Sequence, residues 1–158
     1  MKPLLLNLAV ALLWMLLAGS LSTSRFLAGY LIGFGLLALF QPVIDSGPYV
    51  RRSLAVLGFL GVLLRDYARS TARTLQLCLL TPRDRLQPKL LVYDVANLTR
   101  FERLLLAHAI TLTPGSVVID LDPRAAEFTI HFLDGADPDA SRASLDHGLR
   151  HALLAFTR

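Results

Sequence analysis

The sequence predicts a membrane α-helical hairpin plus an amphipathic helix, followed by a small cytoplasmic α+β domain of order β-α-β-β-α. Three observations carry this reading. Residues 3–21 and 26–44 contain no Lys, Arg, Asp or Glu, and each run is 19 residues long. At about 1.5 Å per residue each is ~28 Å as a helix, close to the ~30 Å hydrocarbon core of a bilayer. The charge is uneven: residues 45–89 carry eight basic and three acidic side chains, and residues 90–158 carry six basic and nine acidic. Beyond residue 88, short alternating runs separated by Pro- and Gly-containing turns replace the long apolar stretches. The chain is therefore divided at 1–44, 45–88 and 89–158. Its 54% hydrophobic content and mean hydropathy of +0.52 exceed those of an ordinary soluble domain, and the excess lies at the front.

In the first run, Met1, Lys2 and the small residues Ala18-Gly19-Ser20 also fit a signal peptide. A second full-length span after only Ser22-Thr23-Ser24-Arg25 favours a retained hairpin of antiparallel helices. Asn7 would lie about one turn inside the membrane, either bonding to another helix or meeting head groups. Trp14 falls mid-span, where packing is its expected role. In the second run Gly29-Tyr30-Leu31-Ile32-Gly33 is a small-xxx-small pattern with Gly35 nearby. Glycines four apart share a helix face and admit a close neighbour. Asn7, Trp14, Gly29, Gly33 and Gly35 are thus the candidates for packing on a partner, with packing inside the hairpin as the alternative. Ion pathways need ionisable groups at depth. Neither run has one, which argues against conduction by this chain alone.

Asp45-Ser46-Gly47-Pro48 reads as a turn, Arg51 and Arg52 as interface markers, and Ser53 as a cap for a helix ending at Thr81-Pro82. Arg65, Arg69 and Arg73 recur every four residues on one face, with Tyr67, Thr71, Leu75, Cys78 and Leu79 largely opposite. This pattern places a helix along an anionic membrane surface, its arginines among phosphates. A third, tilted span is the competing reading. The positive excess marks the cytoplasmic side, and the lack of interleaved aromatics argues against nucleic acid.

Residues 89–95 form a strand candidate, with Leu91 and Tyr93 on one face and Leu90 and Val92 on the other. Asn97 or Thr99 caps a helix over residues 100–110, with Phe101, Leu104, Leu105 and His108 along one face. Thr113-Pro114-Gly115 follows as a structural turn, Pro fitting its second position and Gly the third, where φ is positive. A strand over 116–121, a turn at 122–125 and a strand over 127–133 make a hairpin. Ser141 caps the last helix, whose apolar stripe is Leu145, Leu149, Ala152, Leu153 and Phe156. Two helices on one face of three strands resemble a ferredoxin-like split βαβ unit lacking one strand.

No catalytic constellation is legible. His147 and His151 are four apart but have no third ligand, and a solvated face suits them better than zinc. Asp120 and Asp122 read as turn caps rather than cation ligands. Cys78 reads as a small apolar residue. No Gly-rich phosphate loop or nucleophile elbow is present. The expectation is no enzyme, no cofactor and no metal.

The run Ala107-His108-Ala109-Ile110-Thr111-Leu112-Thr113-Pro114-Gly115-Ser116 is similar to the most recognisable segment of the MrpE, MnhE or PhaE family, small components of the multisubunit Na+/H+ (or K+/H+) antiporters of the Mrp, Mnh or Pha type. Val117-Val118-Ile119-Asp120 and Ile130-His131-Phe132-Leu133-Asp134 resemble the strands that follow there, and Asn7-Leu8, Trp14 and Gly29 to Gly33 resemble its start. His108 departs from the small polar residue expected at that position. The resemblance implies a non-catalytic accessory or assembly subunit in the bacterial inner membrane, with the other antiporter subunits and anionic lipid head groups as partners. The alternative is a membrane-anchored regulatory or ligand-binding module.

Overall fold

The computed structural model describes residues 2–44, 46–122, 126–135 and 137–158, with the backbone alone at Arg83. It divides into two compact units, Met1–Leu54 and Ala55–Arg158.

In the first unit, α1 (Lys2–Leu17) packs beside α2 (Thr23–Leu39), with Asn7 opposite Gly33 and Trp14 opposite Gly29. Both helices, at 16 and 17 residues, are shorter than the 19-residue apolar runs, and each begins before its run, α1 at Lys2 and α2 at Thr23. Local chemistry sets these ends. Gly19, at φ +68, leaves the helical region just after α1. Ser22 caps α2 by accepting from the Arg25 N–H, and the Arg25 guanidinium donates back to the Ala18 carbonyl, one of those left open past the end of α1. At its far end α2 stops at Phe40, and Pro42 sits in the short α3 (Gln41–Ile44), where its missing N–H costs nothing.

The expected turn at 45–48 and cap at Ser53 are corrected. Asp45 lies outside the described residues, but Gly47 and Pro48 already belong to α4 (Gly47–Leu80), a continuous helix of 34 residues. Proline suits the first turn of a helix, and no later proline interrupts the segment. Arg51, Arg52 and Ser53 are therefore inside the helix. Among the described residues α4 alone is long and apolar enough to cross a membrane by length and composition. Its second part is nevertheless committed to protein. Phe59 is 5% exposed, its ring 5.4 Å from that of Phe156, and Val62 and Leu63 pack on the same core.

The second unit continues with β1 (Lys89–Asp94), α5 (Arg100–Leu112), β2 (Ser116–Asp122), β3 (Glu127–Phe132), α6 (Pro138–Leu145), a π-helical turn (Asp146–Arg150) and α7 (His151–Thr157). The sheet has the order β1-β3-β2, with β3 antiparallel to both neighbours, so β1 and β2 run the same way. A register shift between Val118 and Asp120 leaves Ile119 as an extra residue in β2. Leu91, Tyr93, Phe128 and Ile130 face the helices and are buried, and Leu90 and Val92 are exposed on the other face, as period-2 alternation requires. Leu106, Ala109 and Ile110 of α5, with Leu145, Leu149 and Leu153, complete the core. On the free side of β1 the carbonyls of Val92 and Asp94 accept from Arg142 (3.0 Å) and Arg150 (3.2 Å), which blunts that edge against strand addition.

Two helix assignments are corrected. In α5, Phe101, Leu104 and His108 are exposed, and the buried face is Glu102, Leu106, Ala109 and Ile110. The helix carries two apolar stripes, and a capping box selects between them. The Thr99 hydroxyl accepts from the Glu102 N–H while Glu102 accepts from the Thr99 N–H, which turns Glu102 inward. For the last helix the cap is Asp137, not Ser141. Its carboxylate accepts from the N–H groups of Asp139 and Ala140, each at 3.0 Å, with Pro138 as the first helical residue. The turn expected at 122–125 lies mostly outside the described residues, which resume at Ala126.

Candidate functional site

Asn7 gathers a small polar network in the first unit. It is fully buried, and its Nδ2 donates to the Tyr49 hydroxyl at 2.9 Å. That hydroxyl is 2.9 Å from the Tyr30 hydroxyl, and the Tyr49 ring meets Phe34 edge-on at 5.9 Å. Three helices are thereby tied through three uncharged groups. Asn7 Oδ1 is buried with no hydrogen-bond partner among the described residues. It lies where a Cβ on Gly33 would point, so the Gly33 Cα–H is its neighbour and offers a weak Cα–H···O contact.

This geometry decides where the glycines look. A Cβ on Gly29 would come 2.8 Å from Trp14 Cβ and 3.0 Å from the Ala11 backbone. Gly29 and Gly33 therefore meet α1 of this same chain, the intramolecular alternative, and are buried in that contact. Gly35 has nothing within 4 Å of its Cβ position and is exposed. Asn7, Trp14, Gly29 and Gly33 come together; Gly35 stands apart from them. Sequence reasoning singled out Asn7 but missed Tyr30 and Tyr49. Their distance along the chain gives no local signal, although an Asn in an apolar run calls for a distant partner.

In the second unit Arg65, Arg69 and Arg73 of α4 line a cleft of about 450 Å³ together with Thr113, Pro114 and Gly115. The turn is built by hydroxyls. Thr113 and Ser116 both donate to the Ile110 carbonyl, at 2.7 and 2.9 Å, and so close the end of α5. The Ser116 N–H reaches the Thr113 carbonyl at 3.3 Å, and Gly115 holds φ +91. Thr74 of α4 donates to the Pro114 carbonyl at 3.2 Å. The turn is thus a docking point for α4.

The three arginines are exposed, but two of them have carboxylate partners. Arg65 is 2.9 Å from Asp66, and Arg73 is 3.0 Å from Asp134 in the loop after β3. Such exposed pairs contribute about 0–1 kcal/mol, so the buried face of α4 and the Thr74 bond fix the helix more than its charges do. Arg51 and Arg52, in the first unit, are also exposed.

Two further polar centres anchor the C-terminal helices and were not read from the sequence. Burial and a hydrogen bond to Asp146 push the Tyr93 phenol up to about 12, against the Arg150 guanidinium 5.4 Å over its ring. Glu102 is 2% exposed. Burial alone would raise its pKa, but hydrogen bonds from the Thr157 hydroxyl, the Thr99 N–H and Arg158 hold it at about 2. The Thr99-x-x-Glu102 spacing was the available signal for this site. His147 and His151 are exposed, and no group of three metal-ligating side chains occurs among the described residues.

Two solved structures are similar to this chain. A chain of the Mrp complex from Dietzia sp. is 24% identical, over 65% of this chain and 96% of that one, with a TM-score of 0.49. A chain of the membrane-bound sulfane sulfur reductase, an archaeal respiratory membrane complex, is 22% identical over 96% of each chain, with a TM-score of 0.54. The second likeness is one of fold and covers nearly the full length of this chain. A family model described as Na+/H+ ion antiporter subunit matches residues 7–155, from the buried Asn7 through the Thr113-Pro114-Gly115 turn to the last helix. The chain belongs to that family, the MnhE-type components of the multisubunit Mrp-type antiporters.

Proposed function

We propose that this chain is a non-catalytic accessory subunit that helps assemble a multisubunit monovalent cation/proton antiporter. The observation that carries the reading is the chemistry of α1 and α2. Residues 3–21 and 26–44 hold no Lys, Arg, Asp or Glu, and the buried Asn7 amide is bonded to a neutral phenol. A carried cation or proton needs an acidic or basic side chain to exchange with at depth, and residues 3–21 and 26–44 supply no Asp, Glu, His, Lys or Arg. They supply instead an apolar exterior, with Leu5, Leu13, Leu17, Leu31 and Leu39 more than half exposed, suited to lipid and to a larger membrane subunit.

In this reading α1 and α2 form the transmembrane hairpin, and their ~24–26 Å lengths are matched by modest local thinning or snorkelling at the ends. The α4 helix follows the cytoplasmic surface. Only residues 47–58 precede its commitment to the core at Phe59, and twelve residues reach ~18 Å, less than a hydrocarbon core. The arginines then lie at head-group level, and the domain from residue 89 covers the cytoplasmic face of a partner. The strand order β1-β3-β2 supports a split βαβ unit lacking one strand.

Two measurements test this. The chain alone, reconstituted in sealed vesicles, is expected to give no cation-driven proton movement; such movement would overturn the proposal. Membranes lacking the chain are expected to yield partly assembled complexes on native electrophoresis, restored by re-expression. Complete assembly without it would remove the assembly role. The cleft beside α4 favours a second reading, a ligand-responsive regulatory module. That reading predicts antiport that responds to a soluble ligand at constant complex yield.

A further inference from the structure

We propose that Arg69 holds the phosphate of an anionic phospholipid at the mouth of the cleft between α4 and the Thr113-Pro114-Gly115 turn. Most charges around that cleft are already matched. Asp66 is met by Arg65 at 2.9 Å and Asp134 by Arg73 at 3.0 Å. Asp137 accepts from two N–H groups at the start of α6. Arg69 is the arginine of the stripe with no carboxylate within 4 Å among the described residues, and it is exposed at the cleft. A guanidinium presents two parallel N–H donors to a phosphate, a geometry that favours phosphate and carboxylate over other anions.

The cleft is also amphiphilic. Its lining joins the exposed Arg69 and the half-buried Ser70 and Leu77 to the buried Leu145 and Leu149. Its volume of about 450 Å³ suits a glycerophosphate head group with the first methylenes of its chains. The source of the phosphate follows from the rest of the helix. Leu75, Leu79 and Leu80 are 57%, 73% and 79% exposed on the part of α4 that carries the arginines. A helix with an unburied leucine face and a basic flank settles at a head-group boundary, where lipid phosphate is concentrated and free phosphate must compete with it.

The site rests on the surface placement of α4 proposed above. The test therefore separates the two. The full chain is placed in bilayer discs of phosphatidylcholine containing a minor fraction of phosphatidylglycerol, and co-retained lipid is measured by native mass spectrometry after gentle detergent release. The wild type is expected to retain phosphatidylglycerol in preference to phosphatidylcholine, and added inorganic phosphate should not displace it. Arg69→Gln should lower that retention about tenfold, the loss expected for a charge-assisted pair. Arg69→Lys should keep part of it. Arg65→Gln, which removes an already paired arginine, should change it less. Thermal unfolding of each variant verifies the fold.

Equal retention by wild type and a folded Arg69→Gln would overturn the site. Displacement by millimolar inorganic phosphate would overturn the lipid assignment and name free phosphate as the ligand. Fluorescence quenching by lipid-borne quenchers checks the placement independently, using a probe on Cys78. If Cys78 is not quenched near the head groups, the surface reading fails. If it is quenched and lipid selectivity is absent, only the site fails.

Discussion

The Thr74 hydroxyl donates to the Pro114 carbonyl at 3.2 Å, and a Cβ on Gly115 would come 2.9 Å from that same hydroxyl. One side chain of α4 therefore reads both the position and the emptiness of the turn. Gly115 at φ +91 cannot be exchanged for an L-residue without strain. Gly115→Ala should destabilise the chain by about 1–3 kcal/mol through backbone strain and the clash together. Thr74→Val removes the bond and keeps the volume, leaving Pro114 with an unmet acceptor, and should cost about 1 kcal/mol. Thermal unfolding in detergent followed by circular dichroism measures both. A neutral Gly115→Ala would mean that the turn relaxes freely.

Gly33 and Gly35, two residues apart, should behave oppositely. A methyl at Gly33 meets Asn7 Oδ1, and Asn7 cannot withdraw without straining its bond to Tyr49. Gly33→Ala should cost about 1–3 kcal/mol by overpacking. Gly35→Ala meets open space and should be neutral or stabilise the helix by up to about 1 kcal/mol. Gly35→Leu should leave the isolated chain folded and lower the yield of assembled complex if α2 offers this face to a partner. Unfolding of the isolated chain and pull-down of the complex read the two effects separately.

The Asn7–Tyr49 bond should be worth little in energy and more in geometry. Interhelical hydrogen bonds in membrane proteins average about 0.6 kcal/mol and reach about 1.7. A double-mutant cycle of Asn7→Ala and Tyr49→Phe should give a coupling inside that range. Tyr49→Phe also leaves the Asn7 amide without its partner and should be the more costly single change. A coupling near zero would mean that water or lipid replaces the bond.

These contrasts show what a sequence can and cannot carry. The apolar runs, the strand–helix–strand–strand–helix order and the faces of β1 were legible because each is a local periodicity. The Thr113-Pro114-Gly115 turn was legible because Pro and Gly restrict the backbone whatever surrounds them. Which face of α5 goes inward was not legible from hydrophobicity, since Phe101 and Leu104 are as apolar as Leu106 and Ile110. The deciding contact is polar and lies at Thr99 and Glu102. The helical start at Gly47 was hidden because Gly-Pro is a turn signal and a helix start alike. The partners of Asn7 and Thr74 were hidden because they lie 42 and 40 residues away.

Glu102 gives the chain a defined response to acid. Its pKa is about 2, below the ordinary value near 4.3 that it regains on unfolding. A carboxylate lowered in the folded state stabilises fully above the unfolded value and stops doing so as pH falls through the folded one. The contribution is thus intact at neutral pH, declines below about pH 4.5 and is lost as pH falls through about 2. Its size is on the order of 2 kcal/mol, once the half-exposed Arg158 is discounted for screening. Glu102→Gln keeps the shape but loses the charge that gathers Thr157, the Thr99 N–H and Arg158. The variant should melt lower at pH 7 and lose less stability than the wild type between pH 5 and pH 2. Parallel stability curves for the two proteins across that interval would show that folding leaves the carboxylate's pKa at its unfolded value, and that Thr157 and Arg158 give its charged form no net stabilisation.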